Sequence, residues 1–179
     1  TQQDGQTAIP LQFQPDQSFF IVFRKGAKST PVPAKENFPE YNNIATLNGV
    51  WTVYFDPKWG GPEKVTFDRL QDWTTRPEEG IKYYSGTAVY RQSFDLAGTG
   101  INNKGRRLFL DLGEVNNMAQ VKLNVKDLGV VWTAPWQVDI TGIVKEKDNQ
   151  LEIAVVNLWP NRLIGDEQLP DDGVKNGQW

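Results

Sequence analysis

Two stretches decide the fold: Val121-Lys-Leu-Asn-Val-Lys-Asp-Leu-Gly-Val-Val-Trp-Thr-Ala-Pro-Trp-Gln-Val-Asp-Ile-Thr-Gly-Ile-Val144 and Asn149-Gln-Leu-Glu-Ile-Ala-Val-Val-Asn-Leu-Trp-Pro-Asn-Arg-Leu-Ile-Gly-Asp-Glu-Gln-Leu-Pro170. In the first, Val121, Leu123 and Val125 alternate with Lys122 and Asn124; in the second, Leu151, Ile153 and Val155 alternate with Glu152 and Ala154. A period of two puts one side of each segment in a core and the other in water, so both read as half-buried strands. Tryptophans mark the loop boundaries between them. The same alternation recurs upstream in Leu108, Leu110 and Leu112 against Phe109 and Asp111.

Working outward, eight short strands are expected: 50–55, 64–67, 87–96, 107–112, 118–125, 129–133, 136–140 and 150–158. No convincing amphipathic helix separates them, so the fold class is all-β, a two-sheet jelly-roll β-sandwich. The connection 68–86, with Trp73, Pro77, Gly80 and paired tyrosines, is too long for a bare tie and is expected to pack over one end of the sandwich. Before the sandwich, Ser18–Phe23 reads as an apolar strand and 24–34 as a polar, proline-rich linker. The division expected is 1–34, the end of a preceding β-domain plus linker, and 35–179, the jelly roll. The alternative, in which the strand joins the main sandwich, stands beside it.

Composition narrows the chemistry. The 179 residues contain neither cysteine nor histidine, which rules out disulfides, thiolate metal sites and every His-based triad within the chain. With a net charge of −3 and Lys and Arg scattered, no footprint for nucleic acid or an anionic membrane appears. No run approaches the ~20 apolar residues that cross a bilayer. The N-terminal Thr-Gln-Gln-Asp-Gly-Gln carries neither a basic nor an apolar region, as expected of a chain that begins after any signal has been removed.

The two quoted stretches, with Leu47-Asn48-Gly49-Val50-Trp51 and Gly80-Ile81-Lys82-Tyr83-Tyr84-Ser85-Gly86-Thr87-Ala88-Val89-Tyr90-Arg91, resemble the accessory sugar-binding sandwich of glycoside hydrolase family 2 and of the α-L-rhamnosidase-like enzymes of family 106. The resemblance covers roughly the last three quarters of the chain. It implies a galactose-binding domain-like fold and an exported parent, in the bacterial periplasm or outside the cell. It also implies a non-catalytic role supporting the catalytic domain of the same polypeptide, with carbohydrate as a further contact. The alternative is an autonomous carbohydrate-binding module. The ending at Gly177-Gln178-Trp179 favours a fragment. No catalytic residue transfers, because in those families the catalytic carboxylates lie on a (β/α)8 barrel, and no strand-helix alternation of that kind is present.

Glycosidic cleavage generally needs two carboxyl groups about 5–10 Å apart. Asp111, Glu114, Asp139, Asp166, Glu167, Asp171 and Asp172 are available by type, and turn or solvated roles explain each of them. Trp59, Trp73, Tyr83, Tyr84, Trp132, Trp136 and Trp159 are the aromatic platforms on which a pyranose could stack, against the ordinary role of aromatics in cores and interfaces. Trp51 belongs to the core; Trp59 and Trp73, in loops, are placed to face an adjacent domain. The carbohydrate-binding candidates are Trp132, Trp136, Trp159, Asn161, Arg162 and Asp166. For Arg162 and Asp166 the first reading is a lock that closes the loop after the final strand; the second has Asn161, Arg162 and Asp166 reaching into the active site of the neighbouring catalytic domain. Asn116-Asn117 reads first as a turn with left-handed residues, the alternative being a pair that reads sugar hydroxyls. No cofactor is expected; the resemblance allows a structural calcium, but the Asp-rich stretches have no EF-hand spacing.

One departure from the resemblance bears on register. Where those families tend to carry Val-x-Leu-Asn-Gly-Lys, this chain has Asn124-Val125-Lys126. Valine resists positive φ, so Val125 is expected to end its strand with a buried side chain while Lys126-Asp127 makes the turn.

Overall fold

A computed structural model describes residues 2–3, 6–13, 17–23, 38, 40–101 and 105–168. The chain divides into two compact units, 1–44 and 45–179. In the first, β1 (Gln2–Gln3) pairs antiparallel with β2 (Gln6–Thr7). Phe13 and Phe19 meet edge to face with centroids 5.2 Å apart. The strand expected at Ser18–Phe23 is not formed: those residues pair with nothing in a ladder, and Phe20 is 96% exposed. Apolar content alone does not make a strand where no partner edge is offered. The expected linker lies outside the described residues.

The second unit carries all eight expected strands: β3 (Trp51–Tyr54), β4 (Val65–Phe67), β5 (Thr87–Phe94), β6 (Phe109–Asp111), β7 (Met118–Leu123), β8 (Lys126–Val131), β9 (Gln137–Asp139) and β10 (Asn149–Val156). Six of them form one antiparallel sheet in the order β4-β3-β5-β10-β7-β8, and β6 pairs with β9 in a second layer. The last strand therefore inserts between β5 and β7, and the chain passes from sheet to layer and back twice. This is an all-β antiparallel sandwich.

Alternation sets the core. Ala88 and Tyr90 of β5, Val121 and Leu123 of β7, and Trp51 and Val53 of β3 are buried, while their neighbours face outward. Val138 and Ile140 close the core from the second layer. On the outer face, Arg91 and Lys122 flank Glu152 in adjacent strands, at 2.9 and 3.2 Å.

The connection 68–86 packs as expected, and more deeply. It folds into a 3₁₀ turn at Trp73–Thr75 and the short helix α1 (Glu79–Lys82), delivering Trp73, Ile81 and Tyr84 into the core. Trp73 is thus not a loop tryptophan facing a neighbour: its indole N–H donates to the Tyr90 hydroxyl, and its ring meets those of Phe55 and Tyr84 edge to face. Tyr84, 2% exposed, is likewise no sugar platform, its hydroxyl accepting from Asp56 N and donating to Thr87 O. Asn116 and Asn117 form a bend before β7, with neither at positive φ.

The β7–β8 hairpin corrects the expected register. Leu123 pairs directly with Lys126, so Asn124 and Val125 are the two turn residues, at φ 50° and 62°, and the Val125 side chain is 98% exposed. Asn124 explains why valine tolerates this. Its Nδ2 donates to Ile143 O and to Asn149 Oδ1, its Oδ1 accepts from Gln150 N, and its own N–H donates to Gln150 O. Four bonds hold the first turn residue left-handed, and a two-residue turn of that hand demands the same of the second. Left-handed backbone costs a non-glycine residue about 1–2 kcal/mol, against about 0.5–1 kcal/mol for the extra freedom of glycine in the unfolded chain. Val125→Gly is therefore expected to raise stability by about 0.5–1 kcal/mol in chemical denaturation. A destabilised variant would restore the buried-valine register.

A second difference is α2 (Pro160–Gln168), a helix where a loop was expected. Pro160 at its first position is a fitting start signal, since its missing N–H would have had no partner there. What hid it is the distribution of its apolar side chains, treated below.

Candidate functional site: the loop end of the sandwich

The strand registers gather five connections at one end. Val156 pairs with both Thr87 and Met118, Ala119 with Val131, and Tyr54 with Val89. The ends of β3, β8 and β10 therefore lie beside the starts of β5 and β7. Segments 55–64, 83–86, 112–117, 132–136 and 157–168 leave or enter there. All six carbohydrate-binding candidates fall at this end, in two groups. Trp132 and Trp136 sit on the β8–β9 connection; Trp159, Asn161, Arg162 and Asp166 sit on or just before α2. Strands about 4.8 Å apart put the exits of β8 and β10, two places away in the sheet, about 10 Å from each other.

Trp132 is 70% exposed and Trp159 62% exposed, whereas Trp136, Asn161 and Arg162 are half-buried. The α2 group is held by residues that the sequence reading did not single out. Asn157 spans the junction: its Nδ2 donates to Tyr84 O at 2.8 Å and its Oδ1 accepts from Gly86 N at 2.8 Å. Ser85 Oγ donates to Leu158 O and accepts from Arg162 N, both at 3.0 Å. Gly165 is buried against Tyr83, so close that an added Cβ would lie 2.6 Å from the Tyr83 Cβ. Tyr83 and Gln168 bond through their side chains at 3.0 Å. Asn157 had one visible signal, a polar side chain directly after a continuous strand, and its partners were legible only once the fold placed Gly86 beside it.

Arg162 and Asp166 do meet, Nε to Oδ1 at 2.7 Å, but one helical turn apart on α2 and with both side chains 42% exposed. A pair so placed contributes little to stability; the anchors of the segment are Asn157, Ser85 and Gly165. The guanidinium also reaches across the end: Nη1 lies 3.7 Å from where a Cβ on Gly60 would stand. Gly60, at φ 80°, follows Trp59, which is 57% exposed, so a third exposed tryptophan adjoins α2.

Asp111 and Asp139 are engaged in local structure. Asp111 accepts from Gly113 N and Gln137 Nε2, each at 2.8 Å. Asp139 accepts from Thr141 N and pairs with Arg107 at 2.7 Å. Hydrogen bonding from Thr141 first, and from Arg107, holds the Asp139 carboxyl down at about 2. Asp171 and Asp172 lie outside the described residues. Among the described residues, no three acidic side chains gather where a metal ion could sit.

Asp139 and Glu152 set an acid limit. Burial raises the Glu152 carboxyl, but hydrogen bonds from Arg91 and Lys122 outweigh it and leave it below its usual range. Both groups are lowered in the folded state, so their stabilisation is complete above the unfolded values near 4 and fades as pH falls through the folded ones. Stability is expected to drop between about pH 4 and pH 2, and Asp139→Asn should flatten that drop. An unchanged acid limb would show that the Asp139 carboxylate, with its bonds from Thr141 and Arg107, carries no weight.

Residues 71–176, more than half the chain, match the family model described as the glycosyl hydrolase 2 galactose-binding domain-like domain. A Formosa agariphila protein named as a beta-glucuronidase is 46% identical over 131 residues, which is 73% of this chain and 11% of that protein. The solved rhamnosidase of Novosphingobium sp. PP1Y is 38% identical with a TM-score of 0.67, over 82% of this chain and 14% of its own. The beta-glucuronidase of an uncultured Clostridium sp., 23% identical with a TM-score of 0.52 over 68% of this chain and 24% of its own, shares the fold. The chain thus spans a small fraction of the relatives it matches, and its strands, their order and its sequence agree: it belongs to the glycosyl hydrolase 2 galactose-binding domain-like family.

Proposed function

We propose that the chain is a non-catalytic accessory domain of a glycoside hydrolase, supporting the catalytic domain of the same polypeptide. The observation that carries this reading is the state of its carboxylates. Asp111, Asp139 and Asp166 each accept bonds from a neighbouring backbone or cation, and hydrogen bonding from Thr141 and from Arg107 holds Asp139 down at about 2, the reverse of what a general acid at neutral pH needs. No histidine is present to take the role. The 179-residue chain is expected to leave a panel of aryl rhamnosides, galactosides and glucuronides unhydrolysed. Turnover above buffer that disappears in Glu167→Gln or Asp166→Asn would overturn the reading.

The second reading, an autonomous carbohydrate-binding module, is favoured by one observation, the 70% exposure of Trp132 at the loop end. There Trp132 and Trp136 would stack a pyranose, with Trp159, Asn161, Arg162 and Asp166 contributing the second group. Calorimetric titration with oligosaccharides separates the two: the accessory domain binds weakly or not at all. A micromolar constant lost in Trp132→Ala, with the fold intact, would favour the module.

A further inference from the structure

Helix α2 turns its apolar side away from the sandwich. At 3.6 residues per turn, Asn161, Arg162 and Gln168 fall within about 60° of Gly165, the residue seated on Tyr83. That docked side is polar, and it is held by hydrogen bonds rather than by apolar burial. Trp159, Leu163 and Ile164 fall about 100° or more away from Gly165, with exposures of 62%, 48% and 47%; the exposed Asp166 and Glu167 share that outward half, Glu167 between Leu163 and Ile164. Leu158, which precedes Trp159, is exposed as well. An ordinary surface helix has the opposite arrangement, with its apolar stripe inward.

We infer that the outward face of α2, centred on Trp159, Leu163 and Ile164, is the surface on which the catalytic domain of the same polypeptide docks. The inference rests on the accessory-domain reading and gives that partner a place. The chemistry selects a protein occupant. Leu163 and Ile164 have no group to bond a hydroxyl, so a sugar would leave half the face unused. Asp166 and Glu167 on the same helix, in a chain of net charge −3, oppose an anionic bilayer. The matched relatives, of which this chain spans 11% and 14%, carry the rest of their mass on the same chain. Tethering of that kind gives an effective concentration on the order of millimolar, enough for a small apolar face to stay covered.

The test is amide hydrogen exchange in α2, measured in the full-length parent polypeptide and in the 179-residue chain. Exchange should be at least tenfold slower in the parent, and the double variant Leu163→Ser/Ile164→Ser should abolish the difference while leaving the thermal midpoint of the 179-residue chain unchanged. Equal exchange in the two proteins would overturn the inference. So would slow exchange already present in the 179-residue chain, a midpoint lowered by the double variant, or protection that grows with concentration and marks a second copy as the occupant. Hydrolysis by the parent after removal of this chain's carboxylates reports separately on the accessory reading, so the two can fail independently.

Discussion

Replacing Trp73 by alanine is expected to destabilise the sandwich by about 3–5 kcal/mol, the range for deleting a large aromatic from a close-packed core. The side chain is 8% exposed, and its ring touches those of Phe55 and Tyr84. Its loss would also strip the Tyr90 hydroxyl of its indole donor. Burial already pushes that phenol up to about 12, a sign of how little water reaches it. Trp73→Phe keeps most of the volume and removes the N–H, so it should cost less, about 1–2 kcal/mol. Denaturation of the wild type and both variants decides the matter. A Trp73→Ala variant within about 1 kcal/mol of wild type would mean that the 68–86 connection is a detachable cover and not part of the core.

Asn149→Ala should be nearly as severe, at about 2–4 kcal/mol, for a different reason. The side chain is fully buried and bonds four groups: Oδ1 accepts from Asn124 Nδ2 and Lys145 N, and Nδ2 donates to Phe94 O and Lys145 O. It thereby ties the β7–β8 turn to the loop before β10. Alanine leaves those partners facing a low-dielectric interior. Asn149→Leu, similar in volume, should not rescue it, because the missing component is polar. Rescue by leucine would show that packing, not the four bonds, holds this corner.

The strands were legible because alternation is a local consequence of a half-buried pleat. Leu108-Leu110-Leu112, Val121-Leu123 and Leu151-Ile153-Val155 announce their faces without knowledge of partners. The hairpin between β7 and β8 was not legible, since local chemistry argued against Val125 at positive φ. The deciding bonds come from Ile143, Asn149 and Gln150, up to 26 residues away along the chain. Trp73 failed as a loop reading for a similar reason: its core environment is assembled from Phe55, Tyr84 and Tyr90. Helix α2 was hidden because Asp166 and Glu167 fall among its few apolar residues, so periodicity offered no continuous stripe to recognise. The candidate site was half legible. Trp132 and Trp159 stand exposed at one end as their loop-flanking positions suggested, whereas the anchors Asn157, Ser85 and Gly165 acquire meaning only from the register that brings β5 and β10 together.

The most direct measurement of the central claim is kcat/KM for aryl glycosides of the full-length parent polypeptide, which the proposed function takes to be a glycoside hydrolase, with Asp111→Asn, Asp166→Asn and Glu167→Gln introduced singly in this domain. An accessory domain predicts values within about threefold of wild type for each, since removing a true general acid or base costs on the order of 10²–10⁴. A loss of a hundredfold or more in any one, with the fold retained, would place the chemistry on this chain and contradict the account.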